Sequence, residues 1–510
     1  MAKHYDVAVL GAGIGALSAA ALLARRSWRV LVLGQGWRPP TYQFEGLTLA
    51  RRPFTFLAGL SPAWRRVIVE LAQSQTFRRH VVTLDPMFQV LSPKMRLDVP
   101  PDVQAFGREI DRTFPEVRRV VDDLYVELAR TNAAADAAFE RDVVWPPGTF
   151  WERREALRAA AGLPSFDGAR GGSLLAELAP EHEYRAIVEA PARVASHTVT
   201  LPPFAVARLH GAWTRGVARV VGGEDGLVRF LEERIRAHGG ETRLGERAVR
   251  ITHKRGHASG VLVDGDEDLT GVGFVVSDHG TRALLDLSSD FDPPARALAA
   301  VPRLIPAEWR FVTSIVVRDE GLPAPLGDEA FVLHRGAGGP MLVHLQRRRE
   351  PCGAQGATVL VAEALLVEGA SLPLSRAREA VLGAVEGVLP FVRRHLLVVD
   401  SPHDGRPLWD YRSGRRTEVD RGALRASGGS VDAEPMAARW HVDPPGFHGL
   451  GAEPIRAPLA GALVVGPSVL PALGQEGELL AAWGAARIVT RTDKRRERMR
   501  RHMWSKVELG

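Results

Sequence analysis

The pattern of apolar and polar residues at the start of the chain predicts a strand, a glycine turn, a helix and a second strand. Apolar residues fill most of 5–10, the turn GAGIGA follows, and alanine and leucine dominate 17–26 before a second apolar run at 30–33. Short apolar runs closed by glycine are typical of buried strands, and longer apolar runs are typical of buried helices. The order therefore predicts a βαβ unit.

Farther along the chain, the periodicity changes several times. Positions 86–210 have a mostly helical pattern, with amphipathic stretches at 117–130 and 150–161 separated by the turn signal WPPGT. A second alternating region covers 217–278. The apolar runs FVTSIVV, MLVHL and TVLVAEALLV, between 309 and 367, predict an antiparallel sheet. The remaining predicted elements are a helix at 375–389, a loop at 425–454, a strand at 459–466 and a helix at 476–491.

Composition narrows the class of protein. The 510 residues, 45% hydrophobic and 25% charged, are too many for one core and have an ordinary globular composition. The only cysteine, Cys352, excludes a disulfide within the chain and a cysteine metal cage, and it favours the cytoplasm. The first apolar stretch leads into the glycine turn, so no secretion signal is expected. No apolar run reaches the roughly 18 residues of a membrane span.

The formal net charge of +6 is confined to one segment. From 491 to 506 there are eight Lys or Arg residues and two acids, and eight minus two leaves +6 in this tail and none elsewhere. A neutral body gives no basic surface, so no nucleic-acid partner is expected. The tail also contains Met499, Met503 and Trp504, and is interpreted either as a solvated helix end or as a contact with an anionic membrane surface.

The glycine turn is a candidate dinucleotide site. Gly11, Gly13 and Ala16 have the spacing GxGxxG/A between a predicted strand and a predicted helix. Gly11 permits a tight turn, Gly13 lets the backbone approach a pyrophosphate, and Ala16 allows close helix packing. With Ile14 and Gly15, they place phosphates at the helix N-terminus, where free N–H groups and the helix dipole favour negative charge. The alternative is a glycine-rich turn in a nucleotide-free α/β domain.

An expected acidic residue is missing after the second strand. A ribose-binding acid usually lies about 20 residues beyond the glycines, but Gly34 stands there, followed by Gln35 and Gly36. Losing a charged hydrogen bond costs about 1.5–3 kcal/mol, or roughly 10-fold to 150-fold in affinity. Gln35 is a candidate neutral acceptor in place of the acid.

Three segments and the glycine motif carry a family resemblance: VVGGEDGLVRFLEERIRAHGGETRLGERAVRI, the strand end VVSDHG, and GALVVGPSVLPALGQEGELLAAWGAARIV. Over nearly its whole length, the chain resembles the phytoene desaturase branch of the flavin amine oxidase superfamily. The resemblance implies an α/β fold with a Rossmann-like FAD-binding domain of the GR2 type and a second, α+β substrate domain built on an antiparallel sheet and helices. The implied FAD-binding domain covers 1–85, 211–300 and 441–510, and the implied substrate domain covers 86–210 and 301–440.

The resemblance also implies where FAD lies and what the substrate is. The cofactor runs along the glycine motif, its adenine meets backbone near Ala248 and Val249, and the C-terminal helix approaches the flavin ring. The substrate is a long apolar molecule of the isoprenoid type that enters from a membrane. The residues that match the flavin end of the family pattern are Gly466, Pro467, Gly474 and Gly477.

Several cofactor positions depart from the family pattern. Besides Gly34 for the ribose acid, a proline pair and a threonine replace the glycine pair and arginine that lie over the pyrophosphate, and Pro467 replaces an acid. Proline has no N–H donor and a fixed φ. Four losses of about 1 kcal/mol each would lower affinity roughly 1000-fold if they added. The remaining substituted positions are Pro39, Pro40, Thr41, Ala472 and Leu473.

Two hypotheses follow. The first is an FAD-dependent oxidoreductase that dehydrogenates or isomerises an apolar substrate by hydride transfer with flavin; because the cofactor carries the chemistry, no catalytic side chain is assigned. The second is a non-catalytic relative that has lost FAD and acts as a binding or assembly module. The sequence favours the enzyme because GAGIGA is intact. The electron acceptor and the oligomeric state stay open.

Other chemistry is set aside. The sixteen histidines show no HExxH pattern, so no metal site is expected. In SPHDG, at 401–405, the serine, histidine and aspartate are adjacent, which predicts a turn and not a catalytic triad. Trp440 and His441 are interpreted as part of a packed loop, with approach to the flavin as the alternative. The run FVTSIVV is interpreted as sheet core, with substrate contact as the alternative.

Overall fold

The computed structural model describes residues 4–163, 175–336, 339–367, 372–426 and 432–494. Most of the basic tail predicted as a helix end or membrane contact therefore lies outside the described residues. The strands are β1 (His4–Leu10), β2 (Val30–Leu33), β3 (Thr41–Phe44), β4 (Leu47–Ala50), β5 (Val81–Thr83), β6 (Phe88–Ser92), β7 (Met95–Val99), β8 (Ala218–Val220), β9 (Glu241–Arg243), β10 (Ala248–Lys254), β11 (His257–Val263), β12 (Thr270–Ser277), β13 (Arg303–Arg318), β14 (Glu329–Gly336), β15 (Gly339–Arg347), β16 (Ala357–Val367), β17 (Leu396–Asp400), β18 (Leu408–Asp410), β19 (Thr417–Val419), β20 (Ala437–Asp443) and β21 (Ala462–Val464). The helices are α1 (Ile14–Arg25), α2 (Pro62–Glu70), α3 (Ser74–Arg78), α4 (Val103–Thr113), α5 (Arg118–Phe139), α6 (Phe150–Ala159), α7 (Glu183–Ala195), α8 (Pro203–Thr214), α9 (Gly223–Ala237), α10 (Thr281–Asp286), α11 (Ala295–Ala299), α12 (Leu374–Val388), α13 (Arg421–Ala426) and α14 (Gly474–Arg491).

The smaller of the two main sheets contains the predicted βαβ unit. Its order is β10-β11-β12-β1-β2-β9, with β21 alongside β12. The pairs β1–β2, β1–β12, β12–β21 and β2–β9 are parallel. Parallel strands covered by helices read as continuous apolar runs, and the four residues Val7, Ala8, Val9 and Leu10 are fully buried. The prediction of a strand, turn, helix and strand at the start of the chain is confirmed.

The larger sheet contains the predicted antiparallel strands. Its order is β19-β18-β17-β13-β16-β15-β14-β6-β7, with β20 also paired to β13. Successive residues of a strand point to opposite faces, and FVTSIVV in β13 shows this alternation: Phe311 and Ile315 pack with α12, whereas Val312 and Val316 pack with the hairpin β3–β4. The interpretation of this run as sheet core is confirmed.

The prediction that the region 86–210 is mostly helical is confirmed by α4 to α8, although the region begins with the hairpin β6–β7, in which β6 also pairs in parallel with β14. One prediction of secondary structure was wrong. The region 425–454 was predicted to be a loop, but it contains β20, in which Trp440 lies opposite Pro306 of β13. In both places pairing with a distant strand outweighs a weak local pattern.

Among the described residues, no helix has the length and apolar character that a membrane crossing needs. The described strands of the smaller sheet fall within 4–33, 241–277 and 462–464, and those of the larger sheet within 88–99 and 303–443. The exact division of the chain into two discontinuous domains stays a prediction.

A buried ion pair ties α8 to α14. The Arg208 guanidinium donates to both Glu476 carboxylate oxygens at 2.6 Å, and Ser61, which caps the N-terminus of α2, donates to the same carboxylate at 2.5 Å. Burial by itself raises the pKa of Glu476, but the attraction and hydrogen bonds of Arg208 outweigh it, so the pKa is lowered. A carboxyl group whose pKa is lowered by folding stabilises the fold fully when the pH is above its pKa in the unfolded chain. This stabilisation is lost as the pH falls through its pKa in the folded protein.

We therefore expect Glu476→Ala to lower the free energy of unfolding by about 3–5 kcal/mol at neutral pH, because Arg208 stays buried without its main partner. Urea denaturation of wild type and variant measures the difference, which should shrink as the pH falls below the ordinary range of glutamate. Glu379→Ala is the control, because the exposed pair Arg393–Glu379 should cost about 1 kcal/mol or less. Equal losses in the two variants would contradict the assignment.

Candidate dinucleotide-binding site

The glycine motif forms the corner between β1 and α1. Gly11 has φ of 114°, which only glycine adopts easily, and its N–H donates to the carbonyl of Leu33 in β2 at 2.8 Å. Gly13 is the N-cap of α1 and brings no side-chain cap. The corner therefore presents backbone N–H groups that have no partner within the helix, and such groups make a helix N-terminus an anion site. The five residues predicted to form it, Gly11, Gly13, Ile14, Gly15 and Ala16, lie together there.

A carboxylate of the chain itself lies over this corner. Asp278 follows directly after β12, and its Oδ2 accepts a hydrogen bond of 2.7 Å from the N–H of Gly13. A Cβ atom on Gly11 would lie 1.8 Å from Asp278 Oδ1, so the carboxylate packs against the α-carbon of the tight turn. Asp278 thus occupies the place where a bound diphosphate would accept from the same amide, and it brings a fixed acidic group there.

His279 extends this arrangement. Its Nδ1 lies 2.8 Å from Asp278 Oδ1, and 45% of its side chain is exposed. The hydrogen bond with Asp278 raises the pKa of His279, although burial acts in the opposite direction. A histidine whose pKa is raised by folding stabilises the fold fully when the pH is below its pKa in the unfolded chain. This stabilisation is lost as the pH rises through its pKa in the folded protein. The corner therefore holds a carboxylate–imidazole pair that the sequence analysis did not assign.

At the expected adenosine end of the site, side chains and backbone of the protein also bond to each other. Gly34 has no room for a side chain, because a Cβ atom there would lie 1.9 Å from the carbonyl oxygen of Leu244. The Gln35 side chain bonds the backbone of Ala248 twice: its Oε1 accepts from the Ala248 N–H and its Nε2 donates to the Ala248 carbonyl, both at 2.8 Å. The backbone N–H and carbonyl of Ala248, one of the two residues that the resemblance assigns to adenine, are therefore paired with Gln35, and the Gln35 amide expected to face a ribose points elsewhere. Val249 is 40% exposed.

The glycines at the expected flavin end are explained by close backbone contacts. A Cβ atom on Gly466 would lie 1.9 Å from the carbonyl oxygen of Asp278, and one on Gly474 would lie 2.1 Å from that of Ala195. On Gly477 it would lie 2.3 Å from the carbonyl oxygen of Leu470. These positions need glycine because of packing, whether or not a ligand is present.

The cleft beside the corner is still open. It has a volume of about 510 Å³ and is lined by Gly13, Gly34 and Gln35 among the predicted residues, but not by Gly466, Pro467, Gly474 or Gly477. Two ion pairs cross its rim: Arg52 binds both oxygens of Glu224 at 2.7 Å, and Arg51 binds Glu434 at 2.9 Å.

Arg51 also fixes the segment that replaces the family's glycine pair and arginine. Its guanidinium donates to the carbonyls of Pro39 and Thr41. FAD, the cofactor that the resemblance implies, does not fit this arrangement of side chains, because Asp278 takes the Gly13 amide that its diphosphate would contact and Gln35 takes the Ala248 backbone near its expected adenine position.

A second cavity, of about 310 Å³, lies between the larger sheet and the segment 51–57. Its walls include the apolar side chains of Phe54 and Trp213, together with the ion-paired Arg310 and Glu363. The lining therefore combines apolar and charged side chains. Trp440 and His441, interpreted above as a packed loop, lie in β20 and do not line this cavity or the cleft.

No group of histidine, cysteine or acidic residues in the described parts of the chain is arranged to hold a metal ion.

Comparisons with known proteins agree with this architecture. Residues 9–71 match the family described as NAD(P)-binding Rossmann-like domain. Among curated proteins, none matches the chain. The fold class predicted from the sequence, a Rossmann-like dinucleotide-binding fold with mixed sheets and helices, is confirmed.

Solved structures with the same fold span nearly the whole chain. An oxidoreductase from Methanosarcina mazei is 16% identical, with a TM-score of 0.57 over 94% of this chain and 98% of that one. A double mutant of putrescine oxidase is 14% identical, with a TM-score of 0.55 over 96% and 99%. Cyclohexylamine oxidase from Brevibacterium oxydans IH-35A is 16% identical, with a TM-score of 0.53 over 96% and 99%.

The names of these neighbours describe oxidoreductases and amine-type oxidases. An identity of 14 to 16% shows the fold alone. What this chain binds therefore has to be argued from its own residues.

We expect Asp278→Asn to lower the pKa of His279 toward that of a free histidine, because the neutral amide no longer stabilises the imidazolium. NMR titration of the His279 ring protons measures the shift. Asp264→Asn removes the same charge at an exposed pair with Arg247 and should leave His279 unchanged. A His279 pKa that is the same in wild type and in Asp278→Asn would show that the pair does not exist in solution.

Proposed function

We propose that the protein is a cofactor-free relative of the flavin oxidoreductases that uses their fold as a binding or assembly module. The observation that carries the proposal is the 2.7 Å hydrogen bond from the Gly13 amide to the Asp278 carboxylate. A diphosphate cannot accept from that amide until Asp278 leaves. Two like charges 4 Å apart at an effective dielectric constant of about 20 repel by about 4 kcal/mol.

The intact glycine motif does not oppose this proposal. Gly15 approaches the strand end after β21 so closely that a Cβ atom would lie 2.2 Å from the Val465 carbonyl oxygen. Gly11 has a backbone conformation that other residues adopt only with strain. The motif therefore has structural reasons to be glycine that are independent of a nucleotide, and its presence alone does not favour the enzyme.

The second candidate function is the FAD-dependent oxidoreductase. Two observations favour it: the cleft of about 510 Å³ beside Gly13 is open, and the structural neighbours are oxidoreductases. It requires Asp278 and Gln35 to release the corner and the Ala248 backbone. The finer prediction, a phytoene desaturase-like enzyme for an apolar substrate, stays a prediction.

The test is the flavin content of the purified protein and its titration with added FAD. We expect the wild type to be colourless and to bind no FAD in calorimetry. Asp278→Gly removes both the carboxylate and its bulk, and combination with Gln35→Ala frees Ala248. If the charge repulsion of about 4 kcal/mol is relieved, affinity for FAD rises roughly 1000-fold.

Two further variants separate the causes. Asp278→Asn keeps the bulk and removes the charge, so it should gain less affinity than Asp278→Gly. Asp264→Gly, at an exposed position, should gain none. A yellow wild-type preparation with stoichiometric flavin would overturn the proposal and establish the second candidate.

A further inference from the structure

A groove of about 560 Å³ lies between α6, the turn at 145–148 and the segment 444–456. It shares no lining residue with the dinucleotide cleft. Its volume is within the range of small-molecule sites, roughly 300–1,000 Å³. The groove is therefore a separate candidate site, and an inference about it goes beyond the proposed function.

Proline dominates the walls of this groove. Proline has no N–H donor and a fixed φ, so a wall of prolines offers apolar ring surface on a stiff backbone. Phe447 adds aromatic surface and packs edge to face against the buried Trp145, with ring centroids 5.7 Å apart. Such walls suit an aliphatic chain, and because they are already rigid, little ordering is needed on binding. The prolines are Pro146, Pro147, Pro302, Pro444, Pro445 and Pro454.

One cation of the groove is left without a carboxylate partner. Arg153 of α6 is exposed and lines the groove, and among the described residues no acid lies within ion-pair distance of it. The two acids of α6 are engaged elsewhere: Glu152 binds Arg456 through both oxygens, and Glu155 binds Arg487 and Arg491. Both acids of α6 are therefore paired with arginines outside the helix, and neither pairs with Arg153.

The other charged groups of the groove are satisfied by the protein. Arg456 is paired with Glu152, whose pKa is lowered to about 2 because this ion pair and backbone hydrogen bonds outweigh burial. Glu453 accepts from the Ser468 hydroxyl and the Thr281 N–H. Among the described residues that line the groove, Arg153 is thus the arginine whose guanidinium is left for a ligand.

We propose that this groove binds an amphiphile with one aliphatic chain and one anionic head, with the chain along the proline walls and the head at Arg153. Guanidinium groups bind carboxylates and phosphates with two parallel hydrogen bonds. Leu157, which is 71% exposed on the same helix, borders the groove and extends its apolar surface. A fatty acid and an alkyl phosphate share the required chemistry.

The test is calorimetric titration of the full-length protein with dodecanoate and dodecyl phosphate, each below its micelle concentration. We expect saturable binding of one molecule per chain, and the tighter of the two anions identifies the head group. Dodecylamine and dodecanol carry the same chain and should bind at least tenfold more weakly.

Matched variants locate the site. Arg153→Glu should weaken binding of the anion at least tenfold, whereas Arg158→Glu, the same change on the same helix outside the groove, should leave it unchanged. Ala160→Trp fills the groove and should abolish binding; Ala129→Trp, on the exposed side of α5, is its control. Because Ala160→Trp can also disturb folding, Leu157→Glu, at an exposed position, provides a second variant that should weaken binding.

Three results would overturn the proposal: no saturable binding of either anion, equal binding of dodecylamine, or equal losses in Arg153→Glu and Arg158→Glu. Each of these leaves the flavin titration unaffected, because the two sites have no lining residue in common.

Discussion

The pairing of four parallel strands determines which residues meet at the dinucleotide cleft. The carboxyl ends of β2, β1, β12 and β21 meet at one edge of the smaller sheet. The residues that leave this edge must therefore come together, as shown by the hydrogen bond of 3.2 Å from the Asp278 N–H to the Leu10 carbonyl. In doubly wound folds this edge is where ligands bind. Here the residue that follows β12 is Asp278, and its carboxylate places a negative charge at a corner whose backbone N–H groups favour anions.

The fold was largely predictable from the sequence because its central elements have strong local patterns. The unit β1-α1-β2 and the helices α12 and α14 combine long apolar runs with glycine or proline boundaries. The strands β6, β7 and β20 were missed, since β6 and β20 pair with strands far away in the chain and β7 is a short edge strand paired with β6. Trp440, for example, became part of a strand because the extended first half of β13 provides an edge for it. Periodicity does not reveal such partners.

The site was only partly predictable, for a related reason. The glycine motif located the corner correctly, because the need for glycine there is local. The role of Asp278 depends on which strand pairs with β1, and that pairing joins residues more than 260 positions apart. The signal was present in VVSDHG as an acid directly after a strand, but it becomes meaningful only beside Gly13. The two hydrogen bonds between the Gln35 side chain and the Ala248 backbone were equally hidden, since 213 positions separate the two residues.

The close contacts of Gly15, Gly474 and Gly477 have a consequence for how such chains evolve. Each of these residues faces a carbonyl oxygen that any larger side chain would strike. Selection for a folded chain is therefore sufficient to keep these glycines, whether or not a nucleotide binds. The glycines report backbone geometry, and Asp278, the acid that follows β12, is the residue on which the proposed loss of the cofactor depends.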